Sequence, residues 1–104
     1  MLYLMVTLKI KSGRIHEYLA YQQANLPRFL EQNGVKLVGS WVTTIGEANE
    51  VIAIHAYRDF EHIQTVANLQ AQSQEIQKTY KATSELVENI TSKIITPTPY
   101  SPIK

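Results

Sequence analysis

Cysteine is absent from all 104 residues. Its absence excludes disulfide frameworks, thiolate metal sites and thiol nucleophiles together. An excess of charge of one sign is also missing: ten basic residues face nine acidic ones, for a formal charge of +1. That balance excludes the electrostatic footprint of a strongly basic nucleic-acid binder and rules out an acidic tail. The apolar opening from Met1 to Val6 is far too short to span a bilayer, and it lacks the basic leader and small-residue cleavage site of a signal peptide. A cytoplasmic setting with no membrane partner is therefore expected. No G-x-G-x-x-G, P-loop or G-x-S-x-G pattern occurs, so nucleotide-phosphate binding and serine hydrolase chemistry have no support.

What remains is globular in proportion, with 44% hydrophobic residues in 11.8 kDa, and it predicts one domain over residues 1–104. A folded monomer of this mass exposes about 5,900 Å² of the roughly 17,000 Å² of its unfolded chain, which allows one modest core.

Leu2 to Ile10 alternates on one parity through Leu2, Leu4, Val6, Leu8 and Ile10, and predicts a strand whose other face is also largely apolar. Lys11-Ser12-Gly13 breaks it, and Ser12 or Gly13 can cap a helix. From Arg14 the residues Ile15, Tyr18, Leu19, Leu26, Phe29 and Leu30 follow a 3.6-residue period up to the Asn33-Gly34 stop. Pro27 inside that helix is expected to kink it or to start a separate last turn.

Val35 to Ile45 and Asn49 to Arg58 predict a hairpin closed by Gly46-Glu47-Ala48. A register with Ile45 near Asn49 sets Trp41 opposite Ala53, Gly39 opposite His55 and Leu37 opposite Tyr57. Asp59 is a natural N-cap for a helix through Ile63 and Val66, and Ser73 for a shorter one carrying Ile76 and Tyr80. Thr83 to Ile95 predicts a last strand. Residues 96–104, with prolines at 97, 99 and 102, cannot form an internal strand and should run extended along a surface.

The order β-α-β-β-α-(α)-β is an α+β, ferredoxin-like plan with a four-stranded antiparallel sheet. Helices cover only one face of such a sheet, while its strands are apolar on both parities. A homodimer packing sheet against sheet is the simplest cover.

The hairpin Gly34-Val35-Lys36-Leu37-Val38-Gly39-Ser40-Trp41-Val42-Thr43-Thr44-Ile45-Gly46-Glu47-Ala48-Asn49-Glu50-Val51 resembles the GKLVGYWxTEIGxLNxV segment of the NIPSNAP family. Tyr57-Arg58-Asp59 is similar to the Tyr-x-x before that family's second helix, Ser92 to Pro102 to its closing SRLLRPLPFSP segment, and Leu2-Tyr3 and Lys11 to Arg14 to its start. The resemblance covers essentially the whole chain and implies a dimeric α+β barrel, in which two subunits join their sheets. Relatives in that superfamily include cofactor-independent monooxygenases, muconolactone isomerases and haem chlorite dismutases, so activity follows from the fold by analogy alone. The chain departs from the family at Leu4 and Val6, where members carry Glu and Arg, and at Ala53-Ile54-His55, where members read His-Leu-Trp.

Among ionisable groups His55 stands out as a candidate general base, with Tyr57 or Tyr3 as hydrogen-bond donor and Trp41 as the wall of an aromatic pocket. The bland alternatives are a hydrogen-bonded core histidine and a tryptophan that serves burial. His16 and His62 begin helices and are expected to face solvent. The three histidines show no H-x-x-x-H or H-x-H spacing and cysteine is absent, so no transition-metal site is expected, and the small-molecule site is read as one without an organic cofactor. Glu85 and Glu88, three apart on the expected strand, point to opposite faces and make no acid/base pair. The RNA-recognition signature is missing, and no nucleic-acid partner is expected. The reading is a small-molecule enzyme of monooxygenase or isomerase type acting on an apolar or aromatic compound. Its competitor is a non-catalytic binding or interaction homodimer whose tail packs on a neighbour.

Overall fold

The computed structural model describes residues 1–104. Strand β1 (Leu2–Ile10) leads into helix α1 (Ile15–Gln32), then β2 (Lys36–Val42), β3 (Glu50–Tyr57), α2 (Phe60–Gln72), α3 (Gln74–Ser84) and β4 (Val87–Ile95). The four strands form one antiparallel sheet in the order β2-β3-β1-β4. This is the ferredoxin-like arrangement, with β1 and β3 central and β2 and β4 at the edges.

Local chemistry sets the element ends. Gly13 takes φ +81° in the turn before α1, and Arg14 occupies the N-cap position without a side-chain cap, so neither Ser12 nor Gly13 caps the helix. Helix α1 runs unbroken through Pro27, and no separate last turn forms. Pro27 and Gln23 are both exposed, so water can satisfy the carbonyl that loses its partner to the proline ring. Gly34 ends the segment in the left-handed region at φ +66°. The Asp59 carboxylate accepts from the His62 N–H at 2.8 Å and caps α2, and the Ser73 hydroxyl accepts from the Ile76 N–H at 3.3 Å and caps α3. Helix α3 runs on to Ser84, past the expected start of the last strand at Thr83, and Glu85 is its C-cap rather than a strand residue.

The hairpin differs most from expectation. Strand β2 ends at Val42, Ile45 is 94% exposed, and the connection is closed by Thr43, whose hydroxyl donates to the Glu50 carboxylate at 2.6 Å. Trp41 pairs with Ile52 and Gly39 with Ile54; beyond a β-bulge at Val38, Leu37 pairs with His55. The expected pairs Trp41–Ala53, Gly39–His55 and Leu37–Tyr57 are thus displaced by one residue on one side of the bulge and by two on the other. The longer loop causes the first slip and the extra residue of the bulge causes the second. Because side chains alternate, the one-residue slip carries Trp41 to the opposite face of the sheet from His55.

One face of the sheet carries the helices. Leu8, Ile10, Tyr18, Val51 and Leu86 form one buried cluster, and Leu30, Val35, Tyr57 and Val66 a second. Ile10 is fully buried, a contribution of about 1.5–3 kcal/mol for an aliphatic side chain. Helix α3 buries no residue, and Ile90 and Ile94 of β4, on the helix-side parity, stay exposed. The opposite face carries Tyr3, Met5, Ile52, Ile54 and Trp41. Residues 96–104 fold back over one end of it, where the Tyr3 hydroxyl donates to the main-chain oxygen of Lys104 at 2.8 Å. The tail thus covers part of its own sheet.

Candidate functional site

Pairing places His55 between Leu4 of β1 and Leu37 of β2, on the helix side of the sheet. Its Nε2 is buried and has no hydrogen-bond partner. Burial pushes its pKa below the ordinary imidazole value, and no neighbouring charge offsets the effect. The ring is therefore neutral near pH 7 and holds an unshared nitrogen in apolar surroundings. Such an atom is costly to bury unmatched.

Tyr57 lies two residues on, on the same face, buried in the second core cluster. Burial raises its phenol pKa, which keeps the hydroxyl protonated and able to donate. Tyr3 and Trp41 lie on the other face. Tyr3 holds the tail, and the Trp41 ring, 52% exposed, lies over Gly39, where any Cβ would run into it. The structure thus brings together His55 and Tyr57 and separates them from Tyr3 and Trp41. Aliphatic Leu4 and Leu37 flank the histidine in place of the expected tryptophan wall.

His62, expected to face solvent, is 4% exposed. Its Nε2–H donates to the Asn33 carbonyl at 2.8 Å and its Nδ1 accepts from the Arg58 N–H at 3.1 Å. The ring edge also meets Tyr57, with centroids 5.2 Å apart at 68°. Both nitrogens are occupied, so His62 joins the end of α1 to the start of α2. It is the hydrogen-bonded core histidine, and His55 is the unpartnered one. The first-turn position of His62 gives no sign of this in the sequence, because its partners are main-chain groups of distant segments. Nowhere do three histidine or acidic side chains gather into a group that could hold a metal ion.

Two clefts lie on the tail side of the sheet. One, of about 290 Å³, has Val38, Ile54 and Ile95 on the sheet side and Pro97 and Ile103 on the tail side. A second, of about 300 Å³, shares Tyr3, Val38 and Ile103 with it and adds Lys36 and Lys104. The sequence hints at these only through the proline-rich tail and Ile103 beyond it.

The NIPSNAP family model matches residues 3–102. The chain belongs to the NIPSNAP family. A NIPSNAP domain protein from Burkholderia xenovorans superposes with a TM-score of 0.87 at 25% identity, covering 98% of this chain and 99% of that one. A NIPSNAP family protein from Agrobacterium tumefaciens strain C58 gives 0.90 at 24% identity, covering 99% and 98%. An antibiotic biosynthesis monooxygenase gives 0.69 at 12% identity over 95% of this chain and 100% of that one, a likeness of fold alone. No curated protein matches in sequence. The NIPSNAP match spans both the hairpin and the closing segment. No helix is long and apolar enough to cross a membrane.

Proposed function

We propose that this NIPSNAP domain is a small-molecule enzyme that removes a proton from an apolar or aromatic compound, as cofactor-independent monooxygenases and isomerases do. The observation that carries the reading is the buried, unpartnered Nε2 of His55, neutral and aimed at no group of its own chain. In the proposed step His55 takes a proton from an activated CH2, and the Tyr57 hydroxyl donates to the oxygen on which the negative charge develops. An isomerase then returns the proton to another carbon. A monooxygenase passes the carbanion to O2, so that CH2 becomes C=O and the second oxygen leaves as water. The apolar flank of Leu4 and Leu37 selects an uncharged ring or chain.

The test follows deuterium incorporation from D2O into aromatic ketones with activated CH2 groups, by mass spectrometry. Wild type should accelerate exchange, His55→Ala should lose at least about 100-fold, and Tyr57→Phe less. Equal rates for wild type and His55→Ala would remove His55 as the base. No acceleration by wild type would favour the non-catalytic homodimer.

We further propose that two copies join through the sheet faces not covered by helices. The accessible surface is 7339 Å², about 1,400 Å² above the value usual for a monomer of this mass. Trp41, 52% exposed on that open face, contributes to the excess.

A further inference from the structure

We propose that the paired clefts beneath residues 96–104 form a second binding site, for an amphipathic monoanion: an apolar chain or ring that carries a carboxylate. The site lies on the opposite face of the sheet from His55 and does not depend on the proton-transfer chemistry proposed above.

The apolar half is the cleft between Ile54, Ile95 and Ile103, whose only polar lining is hydroxyl, from Tyr3, Thr96, Thr98 and Ser101. No charged residue lines it, so it suits a hydrocarbon chain. The adjoining cleft continues past Tyr3, Val38 and Ile103 and ends against two lysines, Lys36 and Lys104. The chain's ion pairs are Lys9 with Glu47 and Arg14 with Glu17, so neither Lys36 nor Lys104 has an acidic partner. The Lys104 ammonium donates only to the carbonyls of Thr98 and Pro99, at 3.2 and 2.7 Å. With the Met1 amino group offsetting the α-carboxylate of Lys104, the two lysine ammonium groups leave this end of the cleft net positive and complementary to a molecule with one anionic end.

The tail side of the site is also pre-formed. The Lys104 ammonium, a turn from the Ser101 N–H to the Thr98 carbonyl at 3.0 Å, and Ser101 Oγ accepting from the Ile103 N–H at 3.2 Å tie the segment to itself. Tyr3 ties it to β1. Prolines at 97, 99 and 102 restrict the segment further, so a ligand spends little free energy ordering it. Trp41 and Ile52 lie outside the clefts, which leaves them to the proposed partner surface.

Octanoate, with octanol as its uncharged counterpart, tests the proposal on the full chain. Trp41 is the only tryptophan and lies over Gly39, which pairs with the cleft residue Ile54, so its emission reports the site. Octanoate should shift that emission saturably and move the amide resonances of Tyr3, Val38 and residues 96–104. Octanol should bind about tenfold more weakly or worse. Lys36→Ala should weaken octanoate several-fold, and Ile103→Asp, at an exposed position, should abolish its binding with the circular dichroism spectrum unchanged. His55→Ala should leave octanoate binding intact, which separates failure of this site from failure of the catalytic reading. Equal affinity for octanol, resonance shifts confined to the helix side around His55, or no saturable shift at millimolar octanoate would each overturn the proposal.

Discussion

His55 and His62 are the same side chain in two opposite states. His62 spends both nitrogens on main-chain groups, so it is buried and matched, whereas His55 is buried and unmatched at Nε2. The second state is unfavourable for folding, and its retention on a central strand is the pattern expected where stability is exchanged for a reactive group. A pH prediction follows from burial. The imidazole titrates near 6.5 in the unfolded chain and lower in the folded one. Above pH 6.5 both states are neutral and the contribution is complete. As pH falls from 6.5 towards the lowered folded value, the unfolded chain takes up the proton first and stability declines. His55→Leu should therefore be more stable than wild type by about 1 kcal/mol at pH 7.5, since it removes an unmatched buried nitrogen. The gap should widen on going to pH 5.5, because His16 and His62 are common to both proteins. Urea unfolding at the two pH values measures this, and an identical loss in both proteins would show that His55 is not the acid-sensitive group.

Elements differ in how far their sequences determine them. Strand β1 is legible to the residue, because Leu2 to Ile10 alternates without a break and Lys11 to Gly13 stops it. Both later helix caps are legible for the same local reason: Asp59 and Ser73 each accept from an N–H three residues ahead. The β2–β3 register is not, since a bulge at Val38 leaves no mark in a run of β-branched and small residues. Nor does the sequence mark the longer β2–β3 loop, whose one-residue slip sets Trp41 on the opposite face from His55. The two caps also predict different consequences. Helix α2 places Val66 in the core, so Asp59→Ala should lower global stability by about 1 kcal/mol. Helix α3 buries nothing, so Ser73→Ala should open that helix locally and leave global unfolding nearly unchanged. Denaturant melts read the first effect and amide exchange the second. Protection of α3 equal to that of α2 would contradict the distinction.

At the scale of the molecule, the sheet is a slab with one finished face. The principal extents of the whole chain are 40 × 37 × 20 Å and its radius of gyration is 14.2 Å, against about 12.9 Å for a domain of this length. Only 13 residues are buried, so the core of a single copy is thin. Strand parity makes the need for a second cover legible from sequence, but not that the tail meets part of it: that depends on Tyr3 reaching Lys104, a contact between the two ends of the chain. The tail occupies the end of the face near Ile95 and Ile54, and Trp41 and Ile52 stay outside its clefts. Burying an excess surface of about 1,400 Å² per copy would give the proposed dimer a joint interface well above the roughly 1,600 Å² of a standard complex. Light scattering on the eluting protein should therefore give twice the 11.8 kDa chain mass at micromolar concentration. Trp41→Glu should shift it to the monomer with the secondary structure retained, because the ring is half-exposed in one copy and its replacement leaves both core clusters untouched. A wild-type monomer at that concentration would remove the sheet-to-sheet dimer. A dimer undisturbed by Trp41→Glu would place the contact elsewhere, with exposed Ile90 and Ile94 of β4 as the surface to vary next.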